Sequence, residues 1–183
     1  MKEIRLHGRG GQGAVMAAGM LASSLVHGGK YATAVGSFGP ERRGAPVMSF
    51  LRFDDNPIRQ NTRVYHPDCL IVIDPRLAYT TDIFSGLKKA GILVINATKV
   101  DKDLYSPDVS IAGVIDATKI GLEEIGAAIT NTCMMGAFAR TTGWLQLDSL
   151  LISLEERFAG KVLEKNIRCV KRGFEEVNVL DVK

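Results

Sequence analysis

No two cysteines of this sequence stand close together. Cys69, Cys133 and Cys169 are its only three, and no C-x-x-C occurs. A disulfide framework, a zinc knuckle and a cysteine-ligated iron–sulfur cluster each need a ligand spacing that is missing here. The three are expected as buried free thiols, and no metal site is expected. No apolar stretch approaches the length that spans a bilayer, so no membrane partner is expected. The opening "MKEIRLHGRG" lacks the apolar centre of a secretion signal, which makes the cytoplasm the default location. Charge of one sign is lacking too: 23 Lys and Arg against 20 Asp and Glu leave a formal net charge of +3. With no dense basic run, nucleic acid is not expected as a partner.

What is present fits one globular domain spanning residues 1–183. Apolar residues make up 46% of the chain, which excludes a disordered polypeptide. "EIRLHG" reads as a strand. "GAVMAAGMLASSLVHG" reads as a helix ending near Gly28 and Gly29. "YATAVGS" is a second strand, and "VMSFLRF" alternates as a half-exposed strand to which "IRQNTRV" would return as a hairpin. "CLIVI" and "ILVIN" are continuous apolar runs, the pattern of strands covered on both faces. "LAYTTDIFSGLKKAG" reads as a helix, "IAGVIDAT" as a strand ending at Asp116, and "KIGLEEIGA" as a short helix. The remainder is helical, with Asn131 or Thr132 and then Asp148 as candidate caps. Strands alternating with helices predict an α/β fold: an open, mostly parallel, Rossmann-like sheet with helices on both faces and a helical C-terminal segment.

"HGRGGQG", His7 to Gly13, lies between the first strand and the first helix. Gly8, Gly10 and Gly13 satisfy G-x-G-x-x-G, a turn that lets a phosphate approach the backbone at a helix N-terminus. Arg9 adds positive charge, and Gln12 adds a donor and an acceptor. The rest of the dinucleotide fingerprint is missing. No Asp or Glu stands between Ala14 and Pro40, where a ribose-binding acid belongs, and "YATAVGS" has no Arg for a 2′-phosphate. Nor is Gly13 followed by the Lys and Ser or Thr of a P-loop. An NAD(P)-binding oxidoreductase domain remains one reading of this turn.

A second loop, "SFGPERRGAP", holds Glu41, Arg42 and Arg43 between glycines and prolines. Adjacent guanidinium groups grip carboxylate or phosphate. Because it follows the second strand, this loop is expected on the same sheet edge as the glycine turn. Asp74 and Asp116 end apolar strands, where they either bind at the crevice or cap the next helix. His7, His27 and His66 have no neighbouring second ligand, and no catalytic triad is legible. Phe38, Tyr79, Phe84 and Trp144 read as core or interface.

Together, "HGRGGQGAVMAAGMLA", "SFGPERRGAPVMSFLRFDD", "PDCLIVIDP" and "NTCMMGAFARTTG" resemble the gamma subunit of the 2-oxoacid:ferredoxin oxidoreductases, nearest the pyruvate (pyruvate synthase) type. The likeness runs over nearly the whole chain. It implies a complex that oxidatively decarboxylates a 2-oxoacid with coenzyme A, reducing ferredoxin and releasing acyl-coenzyme A and CO2. Its alpha, beta and delta subunits would carry the thiamine diphosphate, Mg2+ and iron–sulfur clusters. This chain would bind no cofactor firmly, carry no catalytic residue and be inactive alone. Arg9, Gly10, Gly11, Gln12, Gly13, Glu41, Arg42 and Arg43 are then expected to meet partner subunits or coenzyme A. A scaffold module that contacts only protein is the remaining alternative.

Overall fold

The fold is described from a computed structural model covering residues 1–36, 44–99 and 106–182. The chain opens with β1 (Lys2–Arg9), in which Ile4 and Leu6 turn to one face of a sheet and Arg5 and His7 to the other. Helix α1 (Ala14–His27) follows, then β2 (Tyr31–Gly36), β3 (Pro46–Asp54) and β4 (Cys69–Val72). A single turn, α2 (Leu77–Thr80), precedes β5 (Gly91–Asn96) and β6 (Val109–Ile115). Helices α3 (Ala117–Glu124), α4 (Asn131–Thr142), α5 (Leu147–Glu155) and α6 (Gly160–Glu176) come next, and β7 (Asn178–Asp181) closes the chain.

The strands form one sheet in the order β2-β3-β1-β4-β5-β6-β7. β1, β4, β5 and β6 are parallel, and β2 runs with them; β3 and β7 run against. The expected α/β architecture with a mostly parallel sheet is therefore observed. The continuous apolar runs at 69–73 and 92–95 are the buried strands they promise to be, alternate residues feeding a core on each face.

Helices lie on both faces, but unequally. α1, α3, α4, α5 and α6 all pack on one. There α4 is nearly engulfed, and it meets α6 backbone to backbone. A Cβ on Gly136 would lie 2.0 Å from the Val170 carbonyl oxygen, and one on Gly173 would lie 2.1 Å from that of Cys133. The opposite face has α2 and a smaller apolar cluster around Leu70, Val72, Ile83 and Leu93. The rest of its cover is irregular chain held by two arginines. Arg5 donates to the carbonyls of Ile83 and Ser85, both at 2.8 Å. Arg52 donates to those of Thr62 and Arg63 at 2.6 and 2.9 Å, and to Glu3 at 2.9 Å.

This arrangement accounts for several departures from expectation. "IRQNTRV" does not pair as a strand, because Arg52 takes two of its carbonyls and lays it along the second face. Likewise, only Leu77–Thr80 of the expected helix at 77–91 forms; Ile83 and Leu87 turn into the core while Arg5 claims the carbonyls between them. β3 is buried through its middle rather than half-exposed, since it is flanked by β2 and β1. Thr130 occupies the cap position of α4, and Gln146 that of α5; neither side chain caps. Asn131 points instead toward Gly13, and Asp148 sits inside the first turn of α5. The helical tail ends in a strand, β7. Among the described residues no helix is long and apolar enough to cross a membrane.

Candidate functional site

Leaving β1, the chain crosses through α1 toward β2. Leaving β3, it crosses the other way to β4. The carboxyl ends of β1 and β4 thus flank the point where the sheet's winding reverses, the usual ligand crevice of open α/β sheets. The glycine turn stands at that point. Gly11 and Gly13 have φ of 94° and 77°, and Gly13 is the cap residue of α1. A Cβ there would lie 2.5 Å from Nδ2 of Asn131, so the backbone favours glycine and any side chain would displace Asn131. Asn131 begins α4, and it is 4% exposed with its Oδ1 unpartnered. Two helix starts therefore meet at the turn. Neither has a side-chain cap or an acid in its first turn, so both positive ends remain uncompensated by their own helices.

Asp74, two residues beyond β4, is the hub of the crevice. It is only 2% exposed. Its Oδ2 accepts from Arg9 Nε at 2.9 Å, Arg76 Nη2 at 3.0 Å and Gln12 Nε2 at 3.2 Å. Its Oδ1 accepts from the backbone N–H and Nε of Arg76 at 3.0 and 3.1 Å. Burial pushes this carboxyl up, but the bonds from Arg76, Arg9 and Gln12 outweigh it and hold the pKa at about 2. Gln12 also takes the Arg9 N–H on its Oε1 at 2.7 Å, locking the turn from within.

Glu41, Arg42 and Arg43 lie outside the described residues, but the chain just after them is anchored to the glycine turn. Gly10 N–H donates to the Ala45 carbonyl at 2.9 Å, Gly44 N–H to the Gly10 carbonyl at 3.2 Å, and Arg9 Nη1 to the Gly44 carbonyl at 3.1 Å. The sequence-derived site residues thus fare differently. Arg9 and Gln12 are ion-paired and hydrogen-bonded rather than bare, and the Gly10 amide is spent on Ala45. The amides of Gly11 and Gly13 are engaged by no described residue. Arg76, with its side chain 75% exposed beside the buried Asp74, went unnoticed in the sequence; the signal was its place two residues after an acid ending an apolar strand. Asn131, read there only as a cap, joins the site.

Of the other candidates, Phe38 lies outside the described residues, His66 and Tyr79 are exposed, and those that follow are structural. His7 is 3% exposed and accepts from Arg5 Nε at 3.0 Å; burial, and then the Arg5 charge, depress its pKa to about 3. His27 pairs with Glu156 at 2.9 Å. Asp116 caps α3, accepting from Lys119 N–H at 2.9 Å. Phe53 and Phe138 pack their rings against Trp144. The three cysteines are free and buried as expected. Burial pushes up every thiol, that of Cys169 to about 11.

A sequence model of the family described as pyruvate ferredoxin/flavodoxin oxidoreductase matches residues 3–176. The gamma subunit of an NADH-dependent phenylglyoxylate dehydrogenase from Aromatoleum evansii is 51% identical over 98% of this chain and 95% of its own. Pyruvate synthase subunit PorC from Methanothermobacter thermautotrophicus is 48% identical over 100% of this chain and 99% of its own. Among solved structures, the pyruvate oxidoreductase subunit PORC of Thermotoga maritima superposes with a TM-score of 0.85 at 37% identity, covering 98% of both chains.

Proposed function

This chain belongs to the pyruvate ferredoxin/flavodoxin oxidoreductase family as a gamma subunit, and from that premise we propose that it is the non-catalytic partner which closes the coenzyme A route of a 2-oxoacid oxidoreductase. In this reading the complex converts a 2-oxoacid and coenzyme A to acyl-coenzyme A and CO2, and passes the electrons to ferredoxin. Thiamine diphosphate with Mg2+ and the iron–sulfur clusters supply the decarboxylation and the electron path, and they reside on the alpha, beta and delta subunits. This chain contributes a surface, holds no cofactor firmly and is inactive alone. It works in the cytoplasm.

The observation that carries the reading is the pair of uncapped helix starts meeting at the glycine turn, beside Arg9 and Arg76. Such a crevice favours phosphate. The amides of Gly11 and Gly13 and the guanidinium of Arg76 would receive phosphate groups of coenzyme A, and Arg42 and Arg43 would add charge from the neighbouring loop. Because Asp74 already neutralises Arg9, an arriving anion exchanges one counter-charge for another.

The sheet order argues against the dinucleotide reading. In a dinucleotide fold the strand after the first helix lies next to the first strand and supplies the ribose acid. Here β3 separates β2 from β1, and β2 has no acid. In this reading the subunit does not line the decarboxylation site, and subunits about equally similar to it belong to enzymes named for phenylglyoxylate and for pyruvate. Pyruvate is favoured from the "FGPERRGAP" segment.

The test is the doubly substituted Arg42→Ala, Arg43→Ala chain, purified with its co-expressed partners. Weakened assembly, or a raised KM for coenzyme A with kcat preserved, is the expected result. Normal assembly with normal kinetics would refute the role. Titration of the purified chain with NADH and NADPH separates the dinucleotide reading, which requires tight binding.

A further inference from the structure

β2 is an edge strand, pairing with β3 on one side and, among the described residues, with nothing on the other. Natural sheets blunt such edges with charge, proline or short length. β7, at the opposite edge, has four residues and carries Asp181. β2 has six residues, YATAVG, with neither charge nor proline. The hydroxyl of Thr33, in its middle, is buried and has no hydrogen-bond partner.

Helix α1 beside it is equally uncharged from Ala14 to Val26, yet Val15, Met16 and Val26 are 37%, 37% and 54% exposed. By contrast α6, the other long helix, is charged along its solvent side. A groove of about 530 Å³ runs between the two uncharged elements, with Val15 and Gly19 on one wall, Ala34, Val35 and Gly36 on the other, and Asn61 at its border.

We propose that this groove seats an extended, uncharged segment of a neighbouring oxidoreductase subunit, which adds to β2 as an eighth strand. Only an extended chain supplies partners at strand spacing to the outward backbone groups of β2; a helix cannot, because its own backbone groups are already paired. The small residues Gly19, Ala34 and Gly36 let that backbone approach, and Val15 covers its side chains. The occupant is assigned to a neighbouring subunit because the chain is itself a gamma subunit; the inference rests on that membership and not on the coenzyme A reading.

Hydrogen exchange of residues 31–36 is to be compared in the full chain alone and in the purified complex. Their amides are expected to slow at least roughly tenfold on assembly. Ala34→Glu places a charge in the groove at an exposed position. It should reduce co-purification of partner subunits roughly tenfold or more with the melting temperature unchanged, while Ala34→Ser assembles normally. Partners that co-purify without slowing exchange at β2, or an Ala34→Glu chain that assembles fully, overturn the proposal and leave the coenzyme A reading intact. Slowing that grows with the concentration of the isolated chain assigns the edge to a second copy and overturns it too. Failure of any subunit to co-purify overturns both.

Discussion

The two faces of the sheet solve one problem by different means. On the helical face, Ile4, Leu6, Ile71 and Val94 meet five helices, and cohesion comes from apolar burial and close packing. On the other face, β1 and β3 offer Glu3, Arg5, His7 and Arg52, and a smaller apolar cluster is supplemented by guanidinium groups that collect loop carbonyls. The first solution is non-directional, tolerant of small shifts and intolerant of lost volume. The second is directional: each carbonyl has one donor, and losing an arginine orphans several groups together.

Substitutions on each face put this contrast to use. Phe138→Ala on α4 removes a fully buried ring, and a loss of about 3–5 kcal/mol is expected in urea unfolding, with exchange accelerated throughout the molecule. Arg52→Met keeps apolar bulk but removes the bonds to two loop carbonyls and to Glu3, which among the described residues keeps only Lys88 at 3.6 Å. A loss of about 3 kcal/mol is expected. Accelerated exchange should stay near residues 57–66; acceleration spread over the helices would mean that the faces are not energetically separable.

Acid offers a gentler probe. With His7 held at about 3 when folded and near 6.5 when unfolded, the unfolded chain binds the extra proton between those values. Stability is therefore full above about pH 6.5 and falls as pH drops toward 3, by up to roughly 1.4 kcal/mol per pH unit. Asp74, depressed to about 2, adds a second decline only below about pH 4. His7→Gln should flatten the upper part of the profile; an unchanged slope would assign it to other groups. The smallest effect belongs to the helical face: Asp116→Ala removes the α3 cap, and a loss of about 1 kcal/mol by thermal melting is expected.

The same contrast explains what the sequence disclosed. Helical-face packing leaves traces in the sequence: the runs at 69–73 and 92–95 and the helix ending near Gly28 and Gly29 were legible. Arginine-to-carbonyl bonding leaves none, since any residue has a carbonyl to give. The segments 58–64 and 81–90 therefore carry the sequence pattern of regular structure without forming it. The glycine turn was legible as a local pattern. Its lock was not, because Arg9 and Asp74 are 65 positions apart and only the parallel pairing of β1 with β4 makes them neighbours. β7 escaped notice because four exposed residues after a long amphipathic helix carry no periodicity of their own.

The backbone contact at Gly136 and Gly173 reaches further than two glycines. It fuses α4 and α6 into a single strut, which begins at Asn131 against the turn and runs through one residue, Val177, into the last strand. The start of α4 at the glycine turn is thus joined, by close packing and then by the chain itself, to the strand at the opposite edge of the sheet.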